Sequence, residues 1–303
     1  MDADTIHHAD NMDVLPQLPA EAFQLVYIDP PFNTGGTQSR RTLTMEPDAD
    51  GDRTGFKGQR YRTRLLAESR YRDTFEDYLA FLEPRLVELH RVLAPAGSFF
   101  LHVDFREVHY CKVLLDAIFG RGSFLNEIIW AYDYGGRTRK RWAPKHDNIL
   151  WYAKDPKRYT YRAEAIDRIP YMAPKLVGPA KAARGKTPTD TWWHTIVPTS
   201  GREPTGYPAQ KPLGILQRIV RVHSNPGDRL LDCFAGSGSF GEAAARNGRN
   251  CVLVDASLAA VEVMKVRLAS WRPIVRDGPA EGRRGYRKAA QGELDCSEEL
   301  PTS

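Results

Sequence analysis

The chain is poor in cysteine, has no long apolar run and shows no surplus of acid. Its four cysteines (Cys111, Cys233, Cys251, Cys296) are scattered through 303 residues without a C-x-x-C spacing, which argues against a structural zinc site or a disulfide framework. No metal site is expected. No stretch approaches the roughly 18 uninterrupted apolar residues of a membrane helix. The opening Met1-Asp2-Ala3-Asp4 is acidic and is not followed by the apolar core of a secretory signal, so no membrane association and a cytoplasmic location are expected. What is present is ordinary globular composition, 42% hydrophobic and 27% charged. That is too apolar for a disordered chain and long enough for one large α/β domain with appendages.

The net charge is +5, and its distribution says more than its size. Between Tyr134 and Arg162 nine basic residues, among them Arg137, Arg139, Lys140 and Arg141, stand against two acidic ones. A local cationic excess of this kind suits a polyanion. A second basic stretch, about 36 to 72, includes Arg40 and Arg41 with four glycines. It reads as a long irregular connection, a mobile loop that orders on its ligand.

Short apolar runs alternate with helical periods, the pattern of a mostly parallel sheet covered by helices. Strands are expected at Phe23 to Ile28, Ser98 to Val103, Asn126 to Trp130, Asn148 to Tyr152, Arg229 to Cys233 and Cys251 to Val254. The third and fourth are too close for a helix between them and should be antiparallel. Helices are expected at Phe75 to Leu93, Arg106 to Phe119, Pro212 to His223, Ser239 to Asn247 and Leu258 to Trp271. Prolines break every period from about Lys154 to Pro208, yet Tyr159, Tyr161, Tyr171, Trp192 and Trp193 mark an inserted module rather than a linker. From about Asp277 the composition reads as disordered.

Two segments carry chemistry. The first runs from a strand through a glycine turn into a helix: Asp232-Cys233-Phe234-Ala235-Gly236-Ser237-Gly238-Ser239-Phe240-Gly241, with Asp255 19 residues after Gly236. Gly236, Gly238 and Gly241 satisfy G-x-G-x-x-G, a dinucleotide fingerprint. Asp232 would repel a pyrophosphate but could pair with the amino group of a methionine moiety, so NAD and S-adenosylmethionine both stay open here. The second segment is Asp29-Pro30-Pro31-Phe32. The lone pair of a nucleobase amine is delocalised into its ring, and alkylating it requires acceptors that draw its N–H bonds away from that plane. Asp29 can accept one hydrogen and a carbonyl of the proline pair another, the prolines hold those acceptors rigid, and Phe32 offers a stacking face for an extruded base. A chance turn at a strand end is the plain alternative.

D-P-P-F followed by Asn33-Thr34-Gly35 resembles the catalytic motif of amino-group DNA methyltransferases. Tyr207-Pro208-Ala209-Gln210-Lys211-Pro212 resembles that family's T-Q-K-P motif, and Phe234 to Ser239 its F-x-G-x-G cofactor loop. Ala209 and Ser239 stand where Thr is common. The motif order is that of the circularly permuted β class, and the resemblance spans residues 4 to about 271. It implies a Rossmann-like S-adenosylmethionine-dependent fold, a mixed seven-stranded sheet with helices on both faces, in which Thr5 to His8 adds the strand beyond the one bearing Asp255. By the same resemblance Asp10 reads the cofactor's adenine and Lys211 lies near its methionine carboxylate. Asp29, Asp232, Phe234, Ala235, Gly236, Gly238 and Asp255 complete the cofactor set.

The division implied is 1–154, the catalytic half; 155–206, a target-recognition insertion; 207–272, the cofactor half; and 273–303, a disordered tail. Double-stranded DNA is the implied partner, with a homodimer and a separately encoded restriction endonuclease as further ones. Adenine N6 is the favoured target, because cytosine-N4 enzymes of this class more often carry Ser in place of Asp29. The cytosine-N4 enzyme, an RNA or protein amide methyltransferase, an NAD-dependent oxidoreductase and a non-catalytic DNA-binding protein are the rivals. Cytosine C5 chemistry is set aside, as no cysteine follows a proline.

Overall fold

Central strands covered by helices on both faces must be apolar on both faces. The computed structural model describes residues 4–33, 36–47, 50, 53–54, 60–73, 77–198 and 203–278, with the backbone alone for 36–47, 53–54, 61 and 63–73. β1 (Thr5–His8), β2 (Phe23–Ile28), β6 (Leu93–Val103), β7 (Phe124–Ala131), β8 (His146–Ala153), β9 (Thr191–Trp193), β10 (Arg229–Asp232), β11 (Asn250–Asp255) and β12 (Ile274–Asp277) form one sheet. The order is β12-β1-β11-β10-β2-β6-β8-β7-β9. β2 and β6 are buried almost throughout, Pro95 and Ala96 being the exposed exceptions in β6. Only β8 runs against its neighbours β6 and β7, the antiparallel pair that the short gap between β7 and β8 implies.

The seven expected strands are present, and two short ones extend the edges. β12 pairs in parallel with β1 from Thr5↔Ile274 to His8↔Asp277, so the first residues of the segment 273–303, expected as a disordered tail, form an edge strand instead; residues 279–303 lie outside the described residues. β9, from the proline-broken stretch that also holds the short helix α4 (Pro179–Arg184), pairs with β7 and ties that stretch to the sheet. β1 sits beside β11, as the resemblance implies. Where it is described, the basic stretch after the Asp-Pro-Pro-Phe loop is strand rather than irregular: β3 (Gly36–Pro47), β4 (Arg53–Thr54) and β5 (Arg60–Asp73) form a separate antiparallel sheet, order β3-β5-β4. The signal was the alternation Arg60-Tyr61-Arg62-Thr63-Arg64-Leu65, a period of two that the charge count hid.

Two cores result. On one face α1 (Asn11–Val14), α2 (Tyr78–Val92) and α3 (Val108–Phe119) pack Leu82, Leu86, Leu89 and Leu115 against Val26, Phe99 and Leu101. On the other, α5 (Leu213–His223), α6 (Ser239–Arg246) and α7 (Leu258–Arg267) pack Ile215, Ile219, Phe240 and Met264 against Leu25, Phe100 and Leu253. α2 shows the logic locally. Its buried residues Tyr78, Leu82, Leu86, Leu89 and Val92 recur at helical spacing, and the Asp77 carboxylate accepts the Ala80 amide at 2.9 Å as the N-cap.

Candidate active site

Parallel strands place their carboxyl ends on one edge of the sheet, where open α/β folds bind ligands. β2 ends at Asp29, β10 at Asp232, β11 at Asp255, and β1 leads into Asp10. A cavity of about 440 Å³ opens among them, lined by all four carboxylates and by Tyr27, Phe32, Phe81, Arg85, Tyr207, Lys211, Phe234, Ala235 and Gly236. That volume suits a nucleoside-sized ligand.

Lys211 is buried and donates to Asp29 Oδ2 at 2.5 Å, and its Nζ lies 4.9 Å from the Phe32 ring centre. Asp29 Oδ1 is buried and accepts no hydrogen bond among the described residues. A buried acceptor left unpaired is costly, and this one belongs to a residue that lines the cavity. The loop beyond is pinned by Asn33, which takes a left-handed φ of 52° and donates to Glu107 at 3.0 Å.

The glycine turn shows why each glycine is there. Gly238 has φ +73°, and a Cβ on it would stand 2.7 Å from Met264 Cγ. A Cβ on Gly241 would meet Leu253 Cδ1 at 2.5 Å, so this glycine lets α6 lie close on β11. Gly236 donates its amide to Asp255 Oδ2 at 2.8 Å, while Asp255 Oδ1 accepts from Ser257 N at 2.8 Å. Burial raises the Asp255 carboxyl above its ordinary pKa despite those bonds. Asp232 is buried in the cavity wall and accepts the Phe234 amide at 3.0 Å. Burial, reinforced by the charges of Asp29 and Asp255, pushes its pKa well above the usual carboxylate range.

Asp10 is the N-cap of α1, accepting from Met12 N at 2.8 Å, and lies 3.4 Å from Arg85 Nη2. Arg85 in turn donates to Asn11 Oδ1 at 2.7 Å and stacks over Phe81, whose ring meets Phe234 edge-on at 6.1 Å. The sequence reading missed Arg85 and Phe81, which sit inside the ordinary helical period of α2. It also missed a buried polar chain beneath Phe32. Tyr27 Oη shares a hydrogen bond with His102 Nδ1 at 2.7 Å, His102 Nε2 faces Asp147 Oδ2 at 3.2 Å, and Tyr132 donates to Asp147 Oδ1 at 3.0 Å. Burial works to raise the Asp147 pKa, but the His102 contact, with Lys211 and Tyr132, brings it below its ordinary value. The His102 ring centre is 5.9 Å from that of Phe32. Tyr207 closes the cavity over Gly236, and burial beside Asp255 pushes its hydroxyl up to about 12.

The candidate DNA contacts divide. Arg137, Arg139, Lys140 and Arg141 are exposed together on the connection from β7 to β8, at the same edge of the sheet as the cavity. Arg40 and Arg41 fall on β3, where only the backbone is described. The two tryptophans of β9 part company: Trp192 is buried under Arg218, whereas Trp193 is 77% exposed.

The sequence profile described as DNA methylase, of the N6/N4 methyltransferase type, matches residues 23–266. The chain belongs to this family. It is 32% identical over 197 residues to the type II methyltransferase M.HpaI of Haemophilus parainfluenzae, a match covering 65% of this chain and 61% of that relative. Over 262 residues it is 28% identical to the DNA adenine methyltransferase YhdJ of Escherichia coli K12, covering 84% of this chain and 79% of the relative. The S-adenosyl-L-methionine complex of TTHA0409 from Thermus thermophilus shares the fold at a TM-score of 0.55 and 22% identity, over 91% of this chain and 98% of that one. No helix among the described residues is long and apolar enough to cross a membrane.

Proposed function

We propose that this methylase-family chain transfers the methyl group of S-adenosyl-L-methionine to the exocyclic amine of a base flipped out of double-stranded DNA, with adenine N6 as the target. The observation that carries the reading is Asp29, a cavity-lining residue: one carboxylate oxygen is held by Lys211 and the other is buried and unpaired among the described residues. That oxygen accepts an N–H of the target amine, localising the nitrogen lone pair, while Phe32 stacks on the extruded ring. Tyr27, His102 and Asp147 fix the floor beneath Phe32.

The residues fit a cationic cofactor. Asp29, Asp232 and Asp255 face one lysine, Lys211, while Asp10 already has Arg85. This negative surplus favours a sulfonium with an ammonium group and opposes the pyrophosphate of NAD. When bound, the cofactor supplies an electrophilic methyl group. Asp232 would hold its amino group, Asp255 its ribose hydroxyls, and Asp10 its adenine edge beside Phe234. Gly236 and Gly238 give the backbone close approach, with Ala235 between strand and turn. Residues 1–154 and 207–272 serve as the catalytic and cofactor halves, with 155–206 recognising the target. The setting is the cytoplasm of a bacterium or phage-infected cell, with a second copy of the chain and a separately encoded endonuclease as the further partners of this reading.

Asp29→Ala tests it. Single-turnover transfer should fall roughly a hundredfold to a thousandfold, the usual loss for one transition-state acceptor, while DNA affinity stays within a few fold. Calorimetry with S-adenosyl-L-methionine, and with NAD as control, separates cofactor loss from loss of chemistry. Near wild-type transfer by Asp29→Ala would overturn the assignment.

A further inference from the structure

We propose that Trp142 is a wedge that enters the duplex and stacks in the space left by the flipped base, an inference that rests on the methyl-transfer reading. Trp142 is 97% exposed, whereas Trp130, Trp151 and Trp192 are each less than one-tenth exposed. A tryptophan has more apolar surface to bury than almost any other side chain, so full exposure points to a surface completed by a partner.

The neighbourhood says which partner. Arg139, Lys140 and Arg141 precede Trp142 directly, all exposed and without an acidic partner among the described residues. Arg137 is engaged by Asp133 at 2.5 Å and by the Gly135 carbonyl at 3.0 Å. A cationic connection that exposes Trp142, with Tyr134 59% exposed near its root, fits a polyanion made of stackable rings. The connection is also held at its root. Tyr132 donates its amide to the Lys145 carbonyl at 2.9 Å, Lys145 Nζ donates to the Tyr134 carbonyl at 2.6 Å, and the final ladder pair is Ala131↔His146.

That root adjoins the base platform. One residue past His146, Asp147 contacts His102, which lies under Phe32. The loop therefore rises at the rim on the side where an extruded base would stack. A side chain inserted there would hold the opened helix from behind while Phe32 holds the base in front.

The test uses the protein's own target site, located by modification-aware sequencing of DNA from cells expressing it. Two duplexes carry that site, one fully paired and one with an abasic position opposite the target base. Single-turnover transfer is measured on each, and 2-aminopurine at the target position reports extrusion independently of transfer. Trp142→Ala should lose tenfold or more in transfer and in 2-aminopurine brightening on the paired duplex, and return to within threefold of wild type on the abasic one. Trp142→Phe should stay near wild type on both. Equal behaviour of Trp142→Ala and wild type on the paired duplex, or equal loss on both duplexes, would overturn the wedge. Absence of any modified base in DNA from cells expressing the protein would instead fault the transferase reading, and the wedge would then be decided by whether wild type, but not Trp142→Ala, binds a duplex with an abasic position more tightly than the fully paired one.

Discussion

Asp232 concentrates the electrostatic tension of the cavity. Its carboxyl is buried in the cavity wall, and its neighbours Asp29 and Asp255 carry the same charge. The folded protein therefore holds the Asp232 proton more tightly than the unfolded chain does, where the group titrates near 3.8. The resulting stabilisation is complete below that value and is lost as pH rises through the raised folded pKa. Asp232→Asn should accordingly raise the melting temperature at pH 8 and leave it little changed near pH 4. Cofactor binding has the opposite slope, because an ammonium pairs with the ionised form: calorimetric affinity for S-adenosyl-L-methionine should climb with pH in the wild type and flatten in Asp232→Asn. A melting temperature at pH 8 lower in the variant than in the wild type would contradict this account.

At the scale of elements, the glycine turn is the clearest case of sequence dictating geometry. Gly238→Ala combines a positive φ with a Cβ driven into Met264, and overpacking of this kind costs about 1–3 kcal/mol beyond the backbone strain. Urea unfolding should show a lower midpoint with an unchanged slope. A neutral result would mean that α7 shifts to make room.

The turn was legible in the sequence because its chemistry is local, and so were β2 and α2, whose patterns fill several consecutive residues. β9 and β12 were not. Three or four residues hold no period, and such strands form because a neighbouring edge offers hydrogen bonds. The chain Tyr27–His102–Asp147 was hidden for a related reason: its members are ordinary strand residues 75 and 45 positions apart, and only the strand order brings them together. In contrast, Asp29, Asp232 and Asp255 were readable because each stands where an apolar run stops.

Across the whole molecule, the cation-rich β7–β8 connection and the anion-rich cavity occupy the same edge of the sheet. The first attracts a phosphate backbone and the second a cationic cofactor, so one edge separates its two ligands by charge. DNA affinity should fall steeply with salt, the slope of log K against log salt being about −0.9 per phosphate neutralised. Removing Arg139, Lys140 and Arg141 together should make that slope shallower by about 1 per residue. An unchanged slope in the triple variant would place the DNA surface elsewhere.

The position of β1 has a consequence for how the protein is made. Its sheet partners are β11 and β12, and Thr5 lies opposite Val252 and Ile274. A ribosome adding about 5–20 residues per second needs roughly 12–50 seconds after β1 emerges before either partner exists. During that interval the nascent chain carries the Asp-Pro-Pro-Phe segment, yet neither Lys211, which holds Asp29, nor the wall bearing Asp232 and Asp255 has been synthesised. Long-range pairing of this kind slows folding, so the cavity is completed only after β10 and β11 have been made.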